Sequence, residues 1–419
     1  MLNLRNHGKI LESFFSLSLL NAIKLILPLI TIPYLIRTVG MANYGIYAIV
    51  YSMVIYILEI SNYGFTYSAT RQVAQNRDNK ECINSIFSSV LVCRLLLAAL
   101  SAVFLVFLSL IVWNRKYMIM VIFGLGIVIG DILNPVWLFQ GMEKMRYMTI
   151  VNFVSKLLFT LLVFVFIKEQ DHYIFIPLLD SFGYILAGLL SIWIAYKEFG
   201  VKFHFPKMNE IVFQFKDGLY IFMSTIFMNL YRNSNTFILG LFVSEAAVGM
   251  YAGAEKIIKA LQSVSVPISG ALFPHLAESF KDHPLRENIN KLMRLVKPMT
   301  AFLLVVCIIA YFFAPLMNKL LLDGSITEPI DLIRIMLPVV LFGCLNYILG
   351  IVGLINLNKQ NDFFRSVMIS GLCGLLFLIC TVHFWGNVSA ALSMVLSEIM
   401  LTIMCSYYLI KVYGSNINS

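Results

Sequence analysis

The chain has 419 residues, 60% of them hydrophobic and only 13% charged, with a formal net charge of +9. A soluble domain has roughly a quarter of its residues charged, so no water-facing fold suits this composition and the solvent must be mostly lipid. The positive charge would fit nucleic acid, but its placement excludes that partner, because the basic residues sort by loop.

A bilayer-spanning helix needs about 20 mainly apolar residues, and segments of that length recur throughout. Twelve spans are expected, at 11–36, 41–65, 83–112, 117–139, 147–167, 173–196, 218–242, 246–272, 298–321, 332–356, 364–385 and 388–410. They run too long, and alternate too little, for the roughly ten-residue strands of an outer-membrane barrel. Backbone polar groups in lipid must be satisfied internally, which leaves helices.

The first span follows Arg5 and Lys9 but contains Pro28 and Pro33 and has no small-residue cleavage site, so it reads as a spanning helix and not a removed signal. It carries Lys24 at mid-span, near Asn21. The second carries Tyr47, Tyr51, Tyr56 and Glu59 and leads into Asn62, Gly64 and Arg71. These tyrosines, with Tyr251 later, have the chemistry to face sugars, although such residues more often pack in a core or face lipid. The third span holds Arg94.

The fourth ends in GDILNPVWLFQGMEKMRY, Gly130 to Tyr147. Pro135 has no N–H and cannot bond the carbonyl of Asp131, so the helix must kink. Asp131, Asn134 and Leu138 share a face that needs protein or water beside it. Trp137 and Gln140 fall at the membrane interface, where Trp is enriched. The stretch is either a helix end lining a gap on the cytoplasmic side or an interfacial belt with a packing kink. Lys156 and Asp180, on the fifth and sixth spans, are expected to form a structural ion pair.

Pro206 lies in a basic linker, 201–217, between two six-helix halves, 1–200 and 218–419. The seventh span carries Arg232 within NLYRNSN, beside Asn229, Asn233 and Asn235. The eighth carries Glu255, Lys256 and Lys259 within GAEKIIK. Glu255 and Lys259 are four apart and can pair on one face. Arg334 near a span start has a long stem suited to snorkelling, and Glu398 reads as structural.

One set of loops holds Arg5, Lys9, Arg71, Arg77, Lys80, Lys144, Arg146, Lys197, Lys202, Lys207, Lys216, Lys281, Arg286, Lys291, Arg294, Lys297, Lys359, Arg365 and Lys411, whereas the alternate set holds only Arg37, Arg115, Lys116, Lys168 and Lys319. That asymmetry places both termini in the cytoplasm. MANYGIYA, 41–48, aligns with EAAVGMYA, 245–252, which suggests a parallel repeat of the halves with a site between them near the midplane. The seven cysteines show no metal spacing or disulfide framework, and no cofactor is expected.

A charge near the bilayer centre costs about 2.5–3.5 kcal/mol on insertion scales, so it needs a reason. For Lys24, Arg232, Lys256 and Lys259 that reason is a cationic, water-filled cavity holding an anionic group, or else ion pairs that lock helices together. Glu59, Asp131 and Glu255 are the buried acids expected to carry any ion coupling.

NPVWLFQGMEKMRYMTI, 134–150, resembles the fourth-helix motif of Wzx-type O-antigen flippases, in the polysaccharide transporter branch of the multidrug/oligosaccharidyl-lipid/polysaccharide (MOP) exporter superfamily. SNYGFTYSATRQVAQNR, 61–77, is similar to the family's motif after helix two, and GMANYGIYA, 40–48, to the start of that helix. The matching positions are Asn62, Gly64, Arg71, Pro135, Trp137, Gln140 and Gly141. Asn62 stands where the family often has an acid, which weighs against ion coupling there. The resemblance implies an all-α, V-shaped MOP-type transporter of about twelve helices in a bacterial inner membrane. It implies movement of undecaprenyl-pyrophosphate-linked oligosaccharide to the periplasmic leaflet by alternating access, beside an O-antigen polymerase and chain-length regulator.

Three rivals remain. A multidrug antiporter would carry acids in its cavity, against Lys24 and Arg232. An O-antigen polymerase or ligase would show a large periplasmic loop, and these loops are short. A flippase for another lipid-linked glycan, such as capsule, teichoic-type polymer or peptidoglycan precursor, fits nearly as well.

Overall fold

The computed structural model describes residues 27–263, 285–355, 357 and 359–415, and the side chains within them apart from those at 220, 224–232, 285, 286, 290, 291, 295 and 412–415. Lys24 therefore lies outside the described residues, as does the side chain of Arg232.

The helices are α1 (Leu27–Val39), α2 (Met41–Asn62), α3 (Phe65–Gln75), α4 (Lys80–Val112), α5 (Arg115–Ile132), α6 (Val136–Gly141), α7 (Met145–Phe166) and α8 (Ile176–Phe199). They continue with α9 (Met208–Phe242), α10 (Glu245–Gln262), α11 (Leu285–Leu321), α12 (Glu328–Asn346), α13 (Gln360–Trp385) and α14 (Asn387–Ser415). A 3-10 helix, Gln170–Phe175, leads into α8, and a π-helix, Tyr347–Ile355, continues α12. No strand occurs among the described residues. Polar residues mark several starts. Asn79 accepts from Cys82 N at 3.1 Å and Asn114 from Lys116 N at 2.9 Å, satisfying amides that open a helix.

Nine helices among the described residues are long and apolar enough to cross a membrane: Met41–Gln75, Lys80–Val112, Arg115–Gly141, Met145–Phe166, Gln170–Phe199, Glu287–Leu321, Glu328–Ile355, Gln360–Trp385 and Asn387–Lys411. They cover nine of the twelve expected spans. Of the other three, the seventh falls on α9, while the first and eighth lie outside the described residues at 11–26 and 264–272 and otherwise fall on α1 and α10. Helix α10 is less apolar because it carries Glu245, Glu255, Lys256 and Lys259. Outward faces are apolar, as lipid requires: α4 exposes Leu100, Val103, Phe104 and Phe107.

The chain forms two compact units, Met1–Asn229 and Leu230–Ser419, the division falling within α9. Of the expected linker 201–217, residues 201–207 are non-helical and 208–217 belong to α9. In the first unit α5 packs on α8, α8 on α7, and α2 on α4 and α5. Without a hydrophobic drive between helices in lipid, close backbone approach supplies the attraction. Gly130 shows this: a Cβ there would stand 2.2 Å from the Tyr184 carbonyl carbon. In the second unit α12 packs on α10, α11 and α14, and α13 on α14.

Candidate functional site

The turn between α2 and α3 positions one side of the first unit. Tyr63 (φ 43°) and Gly64 (φ 76°) both adopt left-handed backbone there. Only glycine suits the second position, since an added Cβ would meet Ile221 Cγ2 at 2.7 Å as well as straining the backbone. The Tyr63 ring stacks on Phe222 at 4.4 Å and meets Phe215 edge-on at 5.3 Å. The chain thus closes onto α9 just after Asn62.

About two turns further along α3, polar groups take over. Arg71 pairs with Asp217 at 2.7 Å. Gln72 and Gln214 exchange amide hydrogen bonds of 3.1 and 3.0 Å, and Gln72 Nε2 also donates to Asp217 at 2.8 Å. Both glutamines are buried, so their exchange is the shielded part of the network and its geometry is specific, while Arg71 is exposed. On the opposite side α3 packs on α6. Thr70 Oγ1 lies 3.3 Å from Gln140 Oε1, and Arg77 donates to Gly141 O at 2.7 Å and to Glu143 at 2.7 Å. Below the junction, Glu210 accepts from the Ser85 hydroxyl and from Lys207 N–H, which together hold its carboxyl below the usual range.

The two motifs that carry the family resemblance therefore meet in space, α3 lying between α6 and α9. Gln214 and Asp217 escaped sequence analysis. They sit on the expected linker, where an acid and an amide carry no distinguishing signal.

The Pro135 stretch behaves as its chemistry dictates, but more sharply. The helix does not merely kink: α5 ends at Ile132 and α6 starts at Val136. Arg94 takes over the exposed end, with Nη2 2.5 Å from Asp131 Oδ2 and Nη1 3.1 Å from the Asp131 carbonyl. Asn134 accepts from Ser191 at 2.9 Å. The polar face expected to need a partner thus packs on α4 and α8. Trp137 is buried within the protein, 3% exposed and 6.2 Å from the Phe87 ring, instead of being presented as an interfacial aromatic.

Other intramembrane charges also meet acids. Lys156 stands 3.3 Å from Asp180, and Lys259 stands 2.9 Å from Glu255, the spacing of four having placed them on one face. Lys256, the next residue along α10, is exposed. Glu59 is half-buried on α2. Tyr251 is fully buried and accepts from Asn235 at 3.0 Å, so it is core and not sugar-facing. Glu398 and Asn346, at the junction of α12 with the π-helix, are joined by a 2.7 Å hydrogen bond, and Thr402 donates to Asn346 at 2.8 Å. Asn346 was not singled out in the sequence. Among the described residues no cluster of three His, Cys, Asp or Glu is arranged to hold a metal.

Residues 10–280 match the family model described as "Polysaccharide biosynthesis protein". A protein of Escherichia coli (strain K12) named "Putative O-antigen transporter" is 25% identical over 90% of this chain and 91% of its own. A Shigella dysenteriae protein of the same name is 24% identical over 94% of this chain and 98% of its own. Among solved structures, an inward-facing multidrug resistance MATE family transporter of the MOP superfamily superposes with a TM-score of 0.74 at 14% identity, over 97% of this chain and 96% of its own. The lipid II flippase MurJ in an inward closed conformation gives 0.70 at 11% identity, over 97% and 91%. The chain accordingly belongs to the polysaccharide biosynthesis protein family and has the all-helical membrane fold of MOP-superfamily transporters.

Proposed function

We propose that the protein is a flippase that carries a lipid-linked polysaccharide precursor across the bacterial inner membrane. The observation that carries this reading is the end-to-end likeness to two proteins named as O-antigen transporters, over 90% and 94% of this chain. In its finer form, the precursor is an undecaprenyl-pyrophosphate-linked O-antigen oligosaccharide. It passes from the cytoplasmic to the periplasmic leaflet by alternating access between two six-helix lobes. Both termini lie in the cytoplasm, and an O-antigen polymerase and chain-length regulator receive the product. Lys24, Arg232 and Lys256 supply the positive charge for the pyrophosphate, and Glu59, Asp131 and Glu255 are the acids through which an ion would be coupled.

The test is complementation of a deletion strain. The combined Lys24→Ala, Arg232→Ala and Lys256→Ala variant should insert normally yet fail to restore surface polysaccharide. Arg232→Lys should be milder than Arg232→Ala, because it keeps the charge but loses the planar two-point grip on phosphate oxygens. Normal glycan from an abundant triple variant would remove the cationic-site mechanism. A reporter fused after Ser419 that is active only in the periplasm would overturn the topology.

A second reading is favoured by the likeness to the lipid II flippase: the cargo is a different lipid-linked glycan. Lipid-linked intermediates accumulating in the deletion strain would separate the two.

A further inference from the structure

Lys156 and Asp180 lie at the centre of a group larger than an ion pair. The Lys156 ammonium sits 4.5 Å from the centre of the Tyr184 ring. Tyr184 also interacts with Tyr51 as well as with Lys156. On α2, Tyr51 and Tyr47 have ring centres 5.7 Å apart, and Tyr47 lies within electrostatic reach of Asp180 and Tyr184. Three helices, α2, α7 and α8, thus bring one cation, one acid and three phenols to one place in the first unit.

A helix lock would need only the pair. Lipid-facing tyrosines belong at the ends of spans, where the hydroxyl meets water. Tyr51 and Lys156 instead fall near the middle of α2 and α7. Polar residues at that depth face a cavity or the bundle interior. The group is also not sealed: the Lys156 side chain is 22% exposed, while that of Asp180 is 2% exposed and serves as its anchor. Tyr47, Tyr51 and Tyr184 are all half-buried.

We propose that Tyr47, Tyr51, Lys156, Asp180 and Tyr184 form a subsite for the sugar hydroxyls of the lipid-linked glycan. The proposal rests on the flippase reading and adds where the glycan itself is held. Charge decides the class of ligand. Lys156 and Asp180 cancel, so the group offers donors and acceptors without a net field, which suits a neutral polyol better than a bare anion. The phenol rings add flat faces for the C–H side of a pyranose and hydroxyls that both donate and accept. Pyrophosphate binding remains with the separate cations proposed above.

The experiment uses the full-length protein in nanodiscs with two probes: the lipid-linked oligosaccharide isolated from the deletion strain, and polyprenyl pyrophosphate without sugar. Tyr47→Phe and Tyr51→Phe keep ring packing and remove one hydroxyl each. Each should weaken the glycosylated lipid about threefold to tenfold, as loss of one hydrogen bond does, and leave the sugar-free lipid unchanged. The paired Lys156→Gln, Asp180→Asn variant should lose about tenfold or more for the glycosylated lipid alone. Wild-type affinity for the glycosylated lipid in both phenylalanine variants would overturn the subsite. So would an equal fall for both lipids, which marks a structural role. Wild-type protein binding neither probe in preference to phosphatidylglycerol would overturn the subsite together with the flippase reading.

Discussion

The contact between Arg94 and Asp131 makes an asymmetric prediction. The Arg94 side chain is 3% exposed and that of Asp131 26% exposed, with 2.5 Å between them. Arg94 Nε is already buried without a hydrogen-bond partner. Removing one member of a buried ion pair costs about 3–5 kcal/mol, because the other is left uncompensated. The two members do not suffer alike. In Arg94→Met, the Asp131 carboxylate, 26% exposed, is only partly enclosed and free to reorient, so the lower end, about 3 kcal/mol, applies. In Asp131→Leu, a guanidinium that cannot give up its proton is left deep in the protein, and the upper end, about 5 kcal/mol, applies. The double variant replaces the pair with apolar groups of similar size and should be milder than Asp131→Leu alone. The assay is membrane abundance together with the apparent melting temperature of detergent-solubilised protein. Arg94→Met as harmful as Asp131→Leu, or a double variant showing the sum of both losses, would refute the reasoning.

Two glycines with positive φ but different ψ, Gly40 (158°) and Gly64 (5°), separate backbone strain from close approach at the family motif. Gly40→Ala (nothing within 4 Å) should cost backbone strain alone, about 1–3 kcal/mol, because its conformation is nearly exclusive to glycine. Gly64→Ala instead combines left-handed strain of about 1–2 kcal/mol with a 2.7 Å clash against Ile221, so relieving the clash with Ile221→Ala should recover thermal stability only for the Gly64 variant. At the same junction, Arg71→Gln should change the melting temperature little, since the Arg71 side chain is 54% exposed and such pairs contribute about 0–1 kcal/mol. Gln72→Leu should lower it clearly, by stranding the buried Gln214 amide. Glu210 gives a pH test: its depressed carboxyl contributes stability above the ordinary carboxylate range that is lost as pH falls through the folded value. Glu210→Gln should therefore flatten the acid limb of a stability profile, and an unchanged limb would discount the Ser85 contact.

Much of this architecture was legible because lipid makes simple demands. Span length, loop charge and the cost of buried ions follow from composition and spacing. The Glu255–Lys259 pair follows from a separation of four, and the Lys156–Asp180 pair from two lone charges on consecutive helices. Pro135 foretold that the Asp131 carbonyl would lack its helical donor, although the Asn134 N–H reaches it at 3.1 Å. What closes on it, Arg94, stands 37 residues away in the chain, and nothing local marks it as the partner. Trp137 was legible as an aromatic at a helix end but not as buried, because burial there depends on Phe87 of α4. Gln214 and Asp217 were missed for the same reason: their meaning arises only when α3 lies beside α9.

The described ion pairs also sharpen how charge is divided in the proposed mechanism. In the first unit Arg94 and Lys156 each stand against an acid, and in α10 Lys259 stands against Glu255. A pyrophosphate approaching any of these three cations must compete with a carboxylate already in contact. Lys259 is thus a weaker anchor than its position beside Lys256 suggested, unless the Glu255 contact opens during transport. The same competition applies to coupling: an ion taken up at Asp131 or Glu255 has to displace Arg94 or Lys259. If coupling runs through Glu255, the two events are linked, since whatever releases Glu255 also frees Lys259 for an anion. Glu255→Gln separates the alternatives. It should strengthen binding of polyprenyl pyrophosphate if Lys259 is an anchor restrained by its partner, and leave that binding unchanged if Lys259 serves only to hold one turn of α10.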